Sequence, residues 1–468
     1  MPDALPSFGK LTRRVRARER ARRGVGPYFV GMTPIPSFLD ELRWRGLLYQ
    51  HTQLAEAALA AGPVVAYCGF DPTAPSLHVG NLVPVMGLVH LQRAGHRPIA
   101  LVGGGTGMIG DPGGRTSERP LLDVAAVDAN VAGIRGQLER FLDFDGPRGA
   151  TLVDNAQWLR PLHAVDFMRD VGKHFTVNWM MAKDSVKSRL EDGISYTEFS
   201  YMLLQAYDFL ELHRRQKVTF QIGGSDQWGN MIAGVELLRR AADADGHVVT
   251  LPLVTNASGA KFGKSEAGAV WLDPALTSPY QFYQFWLNAD DRDAAMYLKY
   301  FTLLDAKAID AISVDLAEAP ESRAAQRALA RDVTERVHGK PGVAAAEDVA
   351  RFFFGLLPAD ELSEAAWALL AREAPFAEVR AADISEVDAS GAPAASGRLD
   401  VYKLLSASGL AASNGAAKRL LEQGGVSINF RKLGASERYI AADGTLLRGG
   451  HVVVGKGKRD VAVVRVRG

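Results

Sequence analysis

The chain has 468 residues, 47% of them apolar and 23% charged, and its 54 Lys and Arg against 53 Asp and Glu leave a formal net charge of +1. That length exceeds a single hydrophobic core and implies two or three domains, while the balanced charge excludes a molecule-wide field toward nucleic acid, so any RNA contact must come from a local patch. The single cysteine, Cys68, excludes an internal disulfide framework and a cysteine-built metal site and suits a reducing cytoplasm, and no run approaches the ~20 uncharged apolar residues of a membrane helix.

From the N-terminus, residues 1–31 form a basic extension in which eight Lys and Arg between Lys10 and Arg23 face one acid, Glu19. Three readings stay open: an RNA-binding arm, an organelle transit peptide, or a start site placed too early, with the true initiator at Met32. A helix is expected from Phe38. Val64–Phe70 is an apolar run ending in turn formers and reads as a buried strand. Asp71-Pro72-Thr73-Ala74-Pro75-Ser76 is a turn cluster, and a helix is expected from His78 through Leu91. Pro98–Val102 reads as the next strand and runs into the glycine-rich stretch 103–114. Strand, glycine turn, helix, strand is the grammar of a parallel sheet with crossover helices. Further strands are expected at Ala150–Val153 and Val218–Ile222, and helices between Ser278 and Phe354. A Gly/Ala/Ser/Pro stretch near Asp388–Gly397 reads as linker, followed by a compact basic tail.

Three clusters carry chemistry. His78-Val79-Gly80-Asn81 places a histidine at the first turn of a helix, where backbone N–H groups favour phosphate, and Gly80 leaves room for a base or ribose. Lys261-Phe262-Gly263-Lys264-Ser265 puts two ammonium groups on a loop, suited to neutralising a triphosphate as its charge redistributes. On the helix expected over Tyr196–Phe209, Tyr201, Gln205 and Asp208 recur at helical spacing and share a face. A surface helix would also carry a polar stripe, but most of the remaining residues here are large and apolar. Polar groups on a buried helix need partners, and a ligand is one source of them. Asp208 is suited to accept a hydrogen bond from a phenolic hydroxyl, Tyr67 to add a second polar contact, and Tyr201 and Gln205 to hold an ammonium group.

The His-Val-Gly-Asn and Lys-Phe-Gly-Lys-Ser pair resembles the paired signatures of class I aminoacyl-tRNA synthetases. Asn81 stands where the family's name-giving motif ends in a second histidine, and Phe262-Gly263 where many members have methionine and serine. With Tyr67–Gly80, Gly110-Asp111-Pro112, Tyr201–Asp208, Gln221–Asn230 and Lys261–Ser265 in order, the chain resembles the bacterial tyrosyl-tRNA synthetases from about Phe38 to its end. The resemblance implies that Tyr67 and Asp208 read the phenol, and that Tyr201, Gln205 and Asp111 bind the ammonium. It places the backbone at Gly69 and Asp71, with Thr73, His78, Gly80 and Asn81, against ATP. Gly224, Asp226 and Gln227 would hold the ribose and tyrosyl carboxylate region, and Lys261 and Lys264 the pyrophosphate, helped by Arg115 and Arg119. Arg115 stands where the family often carries lysine, which keeps the charge but changes the hydrogen-bond geometry.

The implied reaction activates L-tyrosine with ATP, Mg2+ being bound with the nucleotide and not at a dedicated protein site, and then loads the terminal adenosine of tRNA(Tyr). The family also implies a cytoplasmic homodimer. The tail resembles a small RNA-binding module shared with a ribosomal protein, and Lys418, Arg419, Arg431, Lys432, Lys456, Lys458 and Arg459 give it a local basic surface. The expected class is α/β: a Rossmann-like catalytic domain at 32–255, the mobile loop and an α-helical domain at 256–360, a linker region at 361–397, and a small α+β RNA-binding domain at 398–468. A tryptophanyl-type enzyme and an inactive RNA-binding paralogue are the alternatives. The Asp208–Tyr67 pair speaks against the first, because an indole has no phenolic oxygen, and intact His78, Asp226 and Lys264 against the second. A dinucleotide site at Gly103–Gly114 lacks the required glycine spacing.

Overall fold

The computed structural model describes residues 34–111, 122–187, 193–259, 262–265, 268–354, 356–358, 361–394, 396–447, 449–457 and 460–467. The basic extension 1–31, Arg115, Arg119, Lys261, Lys458 and Arg459 lie outside them. The chain divides into two compact units, one running up to Thr277 with Phe285–Val337, the other comprising Ser278–Gln284 with His338–Gly468. The stretch expected as a helical domain at 256–360 is therefore shared between the two. Within the helical run Ala324–Phe353, Gly339 leaves helical geometry at φ 79° and Pro341 follows, which breaks the run next to that division.

The first unit is built on a six-stranded sheet. Its strands are β1 (Gln50–His51), β2 (Val65–Phe70), β3 (Arg97–Val102), β4 (Thr151–Asp154), β5 (Phe220–Gly224) and β6 (His247–Leu251), in the order β1-β6-β5-β2-β3-β4. β2 to β6 run parallel and β1 closes one edge antiparallel. The apolar runs read from sequence as strands are β2 to β5 of this sheet, and His247–Leu251, buried throughout, adds a strand buried on both faces. The chain travels outward from β2 through β3 to β4, then returns to the other side of β2 for β5. The strand order therefore reverses between β2 and β5. In doubly wound sheets ligands bind in the crevice outside the carboxyl ends of the strands at such a reversal.

Helices cover both faces. α1 (Phe38–Arg45) starts where the Ser37 side chain accepts the Asp40 N–H and ends at Gly46, at φ 75°. α2 (Leu82–Arg93) is buried along nearly its whole length, and α3 (Val124–Leu138) is capped by Asp123. α4 (Tyr196–Gln216) is capped by Ser195 and extends seven residues beyond the expected helix end at Phe209. α4 and α5 (Trp228–Ala242) enclose a core in which Tyr67, Ile99, Met202, Phe209 and Leu237 are buried, each full burial of a large apolar side chain contributing about 1.5–3 kcal/mol. α6 (Asp291–Phe301) lies further along the same unit.

The second unit is α+β. Its main sheet has the order β12-β11-β14-β15-β9, from β9 (Phe376–Arg380), β11 (Val426–Ile428), β12 (Arg431–Lys432), β14 (His451–Lys456) and β15 (Asp460–Arg467). β10 (Arg398–Asp400) and β13 (Tyr439–Ala441) form a separate pair. α7 (Glu364–Glu373), α8 (Val401–Ala407) and α9 (Asn414–Glu422) complete the unit. Leu404, Leu405, Leu421, Val426, Val452 and Val464 form its core.

The expected linker at 361–397 is corrected by this arrangement. It supplies α7 and β9, and β9 pairs in parallel with β15 from Val463↔Phe376 to Arg467↔Arg380. Even the small-residue stretch is a structured turn: the Asp388 N–H donates to the Ala392 carbonyl at 2.9 Å, and the Asp388 carboxylate accepts the Ser390 N–H at 2.8 Å. Arg398 pairs with Glu386 at 2.8 Å across its base. The composition that suggests flexibility is also that of a tight Asx turn. A fragment ending at residue 397 therefore retains β9 without β15 and exposes an unpaired strand edge. In sedimentation velocity that fragment is expected to aggregate, whereas one ending at residue 375 stays dispersed; equal dispersion of the two would contradict the pairing.

Candidate active site

β2 and β5 each carry a buried polar atom that lacks a hydrogen-bond partner among the described residues, the Tyr67 hydroxyl and Gln221 Oε1. Tyr67 and Gln221 are register neighbours on the two strands that flank the reversal. A buried polar atom left unpaired costs about 1–3 kcal/mol, so the pair marks a place where a polar ligand group would be stabilising. The Tyr67 ring packs edge-on against Phe209 at 5.3 Å. This fixes where the hydroxyl points.

Beside it, Asp208 of α4 is buried with both carboxylate oxygens engaged. Oδ1 accepts the Trp158 indole N–H at 2.7 Å, and Oδ2 accepts an N–H of Asn155 at 2.9 Å. Asn155 is held in turn: its Oδ1 accepts the Gly105 N–H at 2.7 Å and its amide donates to Thr106 Oγ1 at 3.0 Å. Thr106 donates to Asp71 Oδ1 at 3.1 Å, and the Tyr201 hydroxyl donates to Asp71 Oδ2 at 2.9 Å. One chain of hydrogen bonds thus joins Asp208 on α4 to Asp71 at the end of β2. Gly103 is required beneath it, because a Cβ there would overlap Thr106 Oγ1 and stand 2.6 Å from Asp71 Oδ1.

Burial dominates the electrostatics. It raises the Asp208 carboxyl to about 7, although the two donated hydrogen bonds oppose it. Burial, then the neighbouring Asp208, pushes the Tyr67 phenol well above its ordinary value. Burial, then Asp71 and Asp111, does the same for Tyr201. Tyr201, expected to hold an ammonium group directly, bonds to Asp71; the two side chains form one polar unit. Gln205 lies half-buried one turn along α4 from Tyr201. Asp111 Oδ2 accepts a Gln227 N–H at 2.5 Å, and Gln227 accepts from Asn230 at 3.2 Å. Gly224 ends β5 with Asp226 just beyond, and Gly69 and Thr73 are exposed at the β2 end.

The His78 segment differs from the expected helix start. His78 is extended, Val79–Asn81 forms a 3-10 turn, and α2 begins at Leu82. The Gly80 N–H donates to His78 Nδ1 at 3.0 Å, and the His78 N–H donates to Asn81 Oδ1 at 3.0 Å. Nδ1 is thereby an acceptor, which places the proton of the neutral ring on Nε2. Asn81 spends its carbonyl oxygen on this cap, which leaves the amide NH2 as its donor. Trp271 packs edge-on against the His78 ring at 6.0 Å.

Gly263 of the Lys-Phe-Gly-Lys motif docks on this turn. Gly263, at φ 92°, lies so close that a Cβ would be 3.2 Å from the Gly80 nitrogen. The Val270 N–H donates to the Gly263 carbonyl at 3.1 Å, and the Val79 N–H to the Val270 carbonyl at 2.9 Å. Phe262 is buried among Phe285, Trp286, Tyr297 and Phe301, stacked on the last at 5.1 Å. Lys264 lies on β7 (Lys264–Ser265), paired with β8 (Gly268–Ala269). Gly80 and Gly263, 183 residues apart in sequence, are backbone neighbours.

In the second unit Arg419 and Lys456 line one cleft of about 280 Å3 with Leu410, Ala416 and Gln423. Lys418 pairs with Glu422 at 3.7 Å and Arg431 with Glu437 at 3.0 Å, and Lys432 is exposed. Two of the five described cations are thus partly neutralised by neighbouring acids. Sequence reasoning missed Asn155, Trp158 and Thr106. The available signal was positional: Asn155 follows β4 directly, and polar residues just past parallel strands belong to the binding crevice.

The model of the class I tRNA synthetases for W and Y matches residues 59–355. The tyrosine–tRNA ligase of Anaeromyxobacter dehalogenans (strain 2CP-1 / ATCC BAA-258) is 51% identical over 431 residues, which cover 92% of this chain and 100% of that protein. The tyrosine–tRNA ligase of Mycobacterium tuberculosis (strain ATCC 25618 / H37Rv) is 49% identical over 431 residues, 91% of this chain and 98% of that one. Among solved structures, the C-terminally truncated mitochondrial tyrosyl-tRNA synthetase of Aspergillus nidulans superposes with a TM-score of 0.62 at 31% identity, covering 68% of this chain and 94% of that chain. A reversed-order parallel sheet with a buried acid at its crevice, and relatives matched along nearly their whole length, lead to one conclusion: the chain belongs to the class I tRNA synthetases, within the tyrosine–tRNA ligases.

Proposed function

We propose that the crevice at the ends of β2 and β5 binds L-tyrosine and ATP, forms tyrosyl-adenylate, and passes the tyrosyl group to the terminal adenosine of tRNA(Tyr). The buried Asp208 beside the unpartnered Tyr67 hydroxyl carries this reading, because a phenolic O–H entering the site completes both. Asp111, Tyr201, Gln205 and Gln227 hold the ammonium and carboxylate end. Gly69, Asp71, Thr73, Gly80, Asn81, Gly224 and Asp226 line the ATP site. His78, Lys261, Lys264, Arg115 and Arg119 stabilise the phosphates, and Mg2+ arrives with the ATP. The docking of Gly263 against Gly80 supports the pairing of the histidine and lysine motifs on one triphosphate.

No covalent nucleophile is needed. The tyrosine carboxylate attacks the α-phosphorus, the bond to the β-phosphate oxygen breaks, and pyrophosphate leaves. The ribose hydroxyl of the tRNA then attacks the tyrosyl carbonyl and AMP leaves, its phosphate retaining the oxygen that had linked it to the tyrosyl carbonyl. Rate enhancement comes from alignment and from charge placed where it develops. Phenylalanine would leave Tyr67 and Asp208 with an unmet polar contact; rejection of phenylalanine by about a hundred-thousandfold in tyrosyl-tRNA synthetases is itself the known example of this effect.

We also propose a cytoplasmic homodimer. Among the described residues Val165, Met168, Val177 and Tyr196 are 75%, 55%, 59% and 70% exposed, an apolar set that a second copy would cover. No described helix is long and apolar enough to cross a membrane.

Three outcomes are expected. Charging of total tRNA with labelled amino acids should incorporate tyrosine alone; incorporation of tryptophan instead would overturn the assignment. Val165→Glu with Met168→Glu should shift the sedimentation coefficient to that of a monomer, and an unchanged coefficient would contradict the dimer. The third concerns pH. Because the folded state raises Asp208 from 3.8 to about 7, its contribution to stability is fully present below about 3.8 and is lost as pH rises to about 7. The same titration governs binding, since the charged carboxylate is a stronger acceptor of the phenolic O–H than the neutral acid. Tyrosine affinity, measured by calorimetry, should fall as pH drops below about 7, and Asp208→Asn should flatten the profile. A flat wild-type profile would contradict the role given to Asp208.

A further inference from the structure

Strands β11 and β12 are joined by Asn429 and Phe430, with Ile428 paired to Arg431. Both turn residues are left-handed, at φ 47° and 62°. This is the backbone of a two-residue type I′ hairpin, for which Asn-Gly is the favoured pair. Asn429 suits its position: its amide donates to the Thr445 carbonyl at 2.8 Å and its Oδ1 accepts the Val453 N–H at 2.9 Å. Phe430 does not, because a bulky residue with a Cβ is strained in the left-handed region. Such strain persists only where the surroundings hold it.

The surroundings are aromatic. The Phe430 ring stands edge-on to Phe352 at 4.9 Å. Phe352 is fully buried at the end of the helical run Ala324–Phe353. It meets Trp367 of α7 at 6.2 Å, and Trp367 stacks on His451, the first residue of β14, at 4.3 Å. A continuous line of four rings therefore crosses this unit from the β11–β12 turn through two helices to the central strand of its sheet. The two residues after Phe430 are Arg431, which pairs with Glu437 at 3.0 Å, and Lys432, two of the exposed cations expected on the RNA surface.

We infer that Phe430 is a latch, a positioning residue that fixes the turn carrying Arg431 and Lys432 against the helices of its own unit and so presents those cations in one geometry to the tRNA. Phe430 makes no contact with RNA in this account. The inference rests on the reading of Arg431 and Lys432 as tRNA contacts, so the test separates the two.

Three full-length proteins are compared: Phe430→Gly, Phe430→Tyr, and Arg431→Glu with Lys432→Glu. Phe430→Gly gives the turn its preferred Asn-Gly pair and removes only the ring. The expected result is wild-type circular dichroism, tyrosine-dependent ATP–pyrophosphate exchange within twofold of wild type, and a KM for tRNA raised about tenfold; Phe430→Tyr restores that KM. The latch is overturned if Phe430→Gly keeps the wild-type KM for tRNA while the double charge reversal raises it. It is also overturned if Phe430→Gly loses exchange in step with a lowered Tm, the signature of a purely packing role. If the double charge reversal leaves the KM for tRNA unchanged, the reading of these cations as RNA contacts fails and the latch falls with it.

Discussion

A carboxylate kept in the interior at the end of a parallel sheet is the constraint on which this site depends. Removing Asp208 from water costs several kcal/mol unless its oxygens are met, and the protein meets them with two donors, the Trp158 indole and the Asn155 amide. Those donors require partners of their own, so the bonding spreads through Thr106 to Asp71 and Tyr201. The result is a polar network, built before any substrate arrives, on elements fixed by the reversal of strand order between β2 and β5. Preorganisation of this kind is what lets a site discriminate by leaving groups unpaired when the wrong ligand enters.

The region proposed to hold the phosphates follows a different logic. Among the described residues the backbone supplies the precision. Gly263 and Gly80 approach within contact distance, and a histidine whose Nδ1 is occupied by the Gly80 N–H has its tautomer set. The buried Phe262 seats this segment in a cluster of aromatic rings. A backbone seated in this way suits the proposed reaction, which needs alignment and charge more than covalent chemistry.

Much of this was legible in the sequence because the signals were local. Apolar runs ending in glycine gave the strands at 65–70 and 97–102, and helical spacing placed Tyr201, Gln205 and Asp208 on one element. What stayed hidden was non-local. Asn155 and Trp158 gain meaning only when β4 is set beside β3 and α4 is folded over it. β9 is five residues long with alternating half-burial, and its partner lies more than eighty residues away, so composition read its surroundings as linker. His78 looked like the first turn of a helix because a 3-10 turn and a helix start share the same residues. The tail cations looked uniformly available, whereas two of them are paired with Glu422 and Glu437.

The central claim is that Asp208 and Tyr67 act together as the reader of a phenolic hydroxyl. A double-mutant cycle of Tyr67→Phe and Asp208→Asn, with dissociation constants for tyrosine and phenylalanine measured at pH 8, tests it most directly. The account predicts that each substitution weakens tyrosine and not phenylalanine, and that the losses are non-additive because both contacts meet one oxygen. Equal weakening of the two amino acids, or fully additive losses for tyrosine, would contradict it.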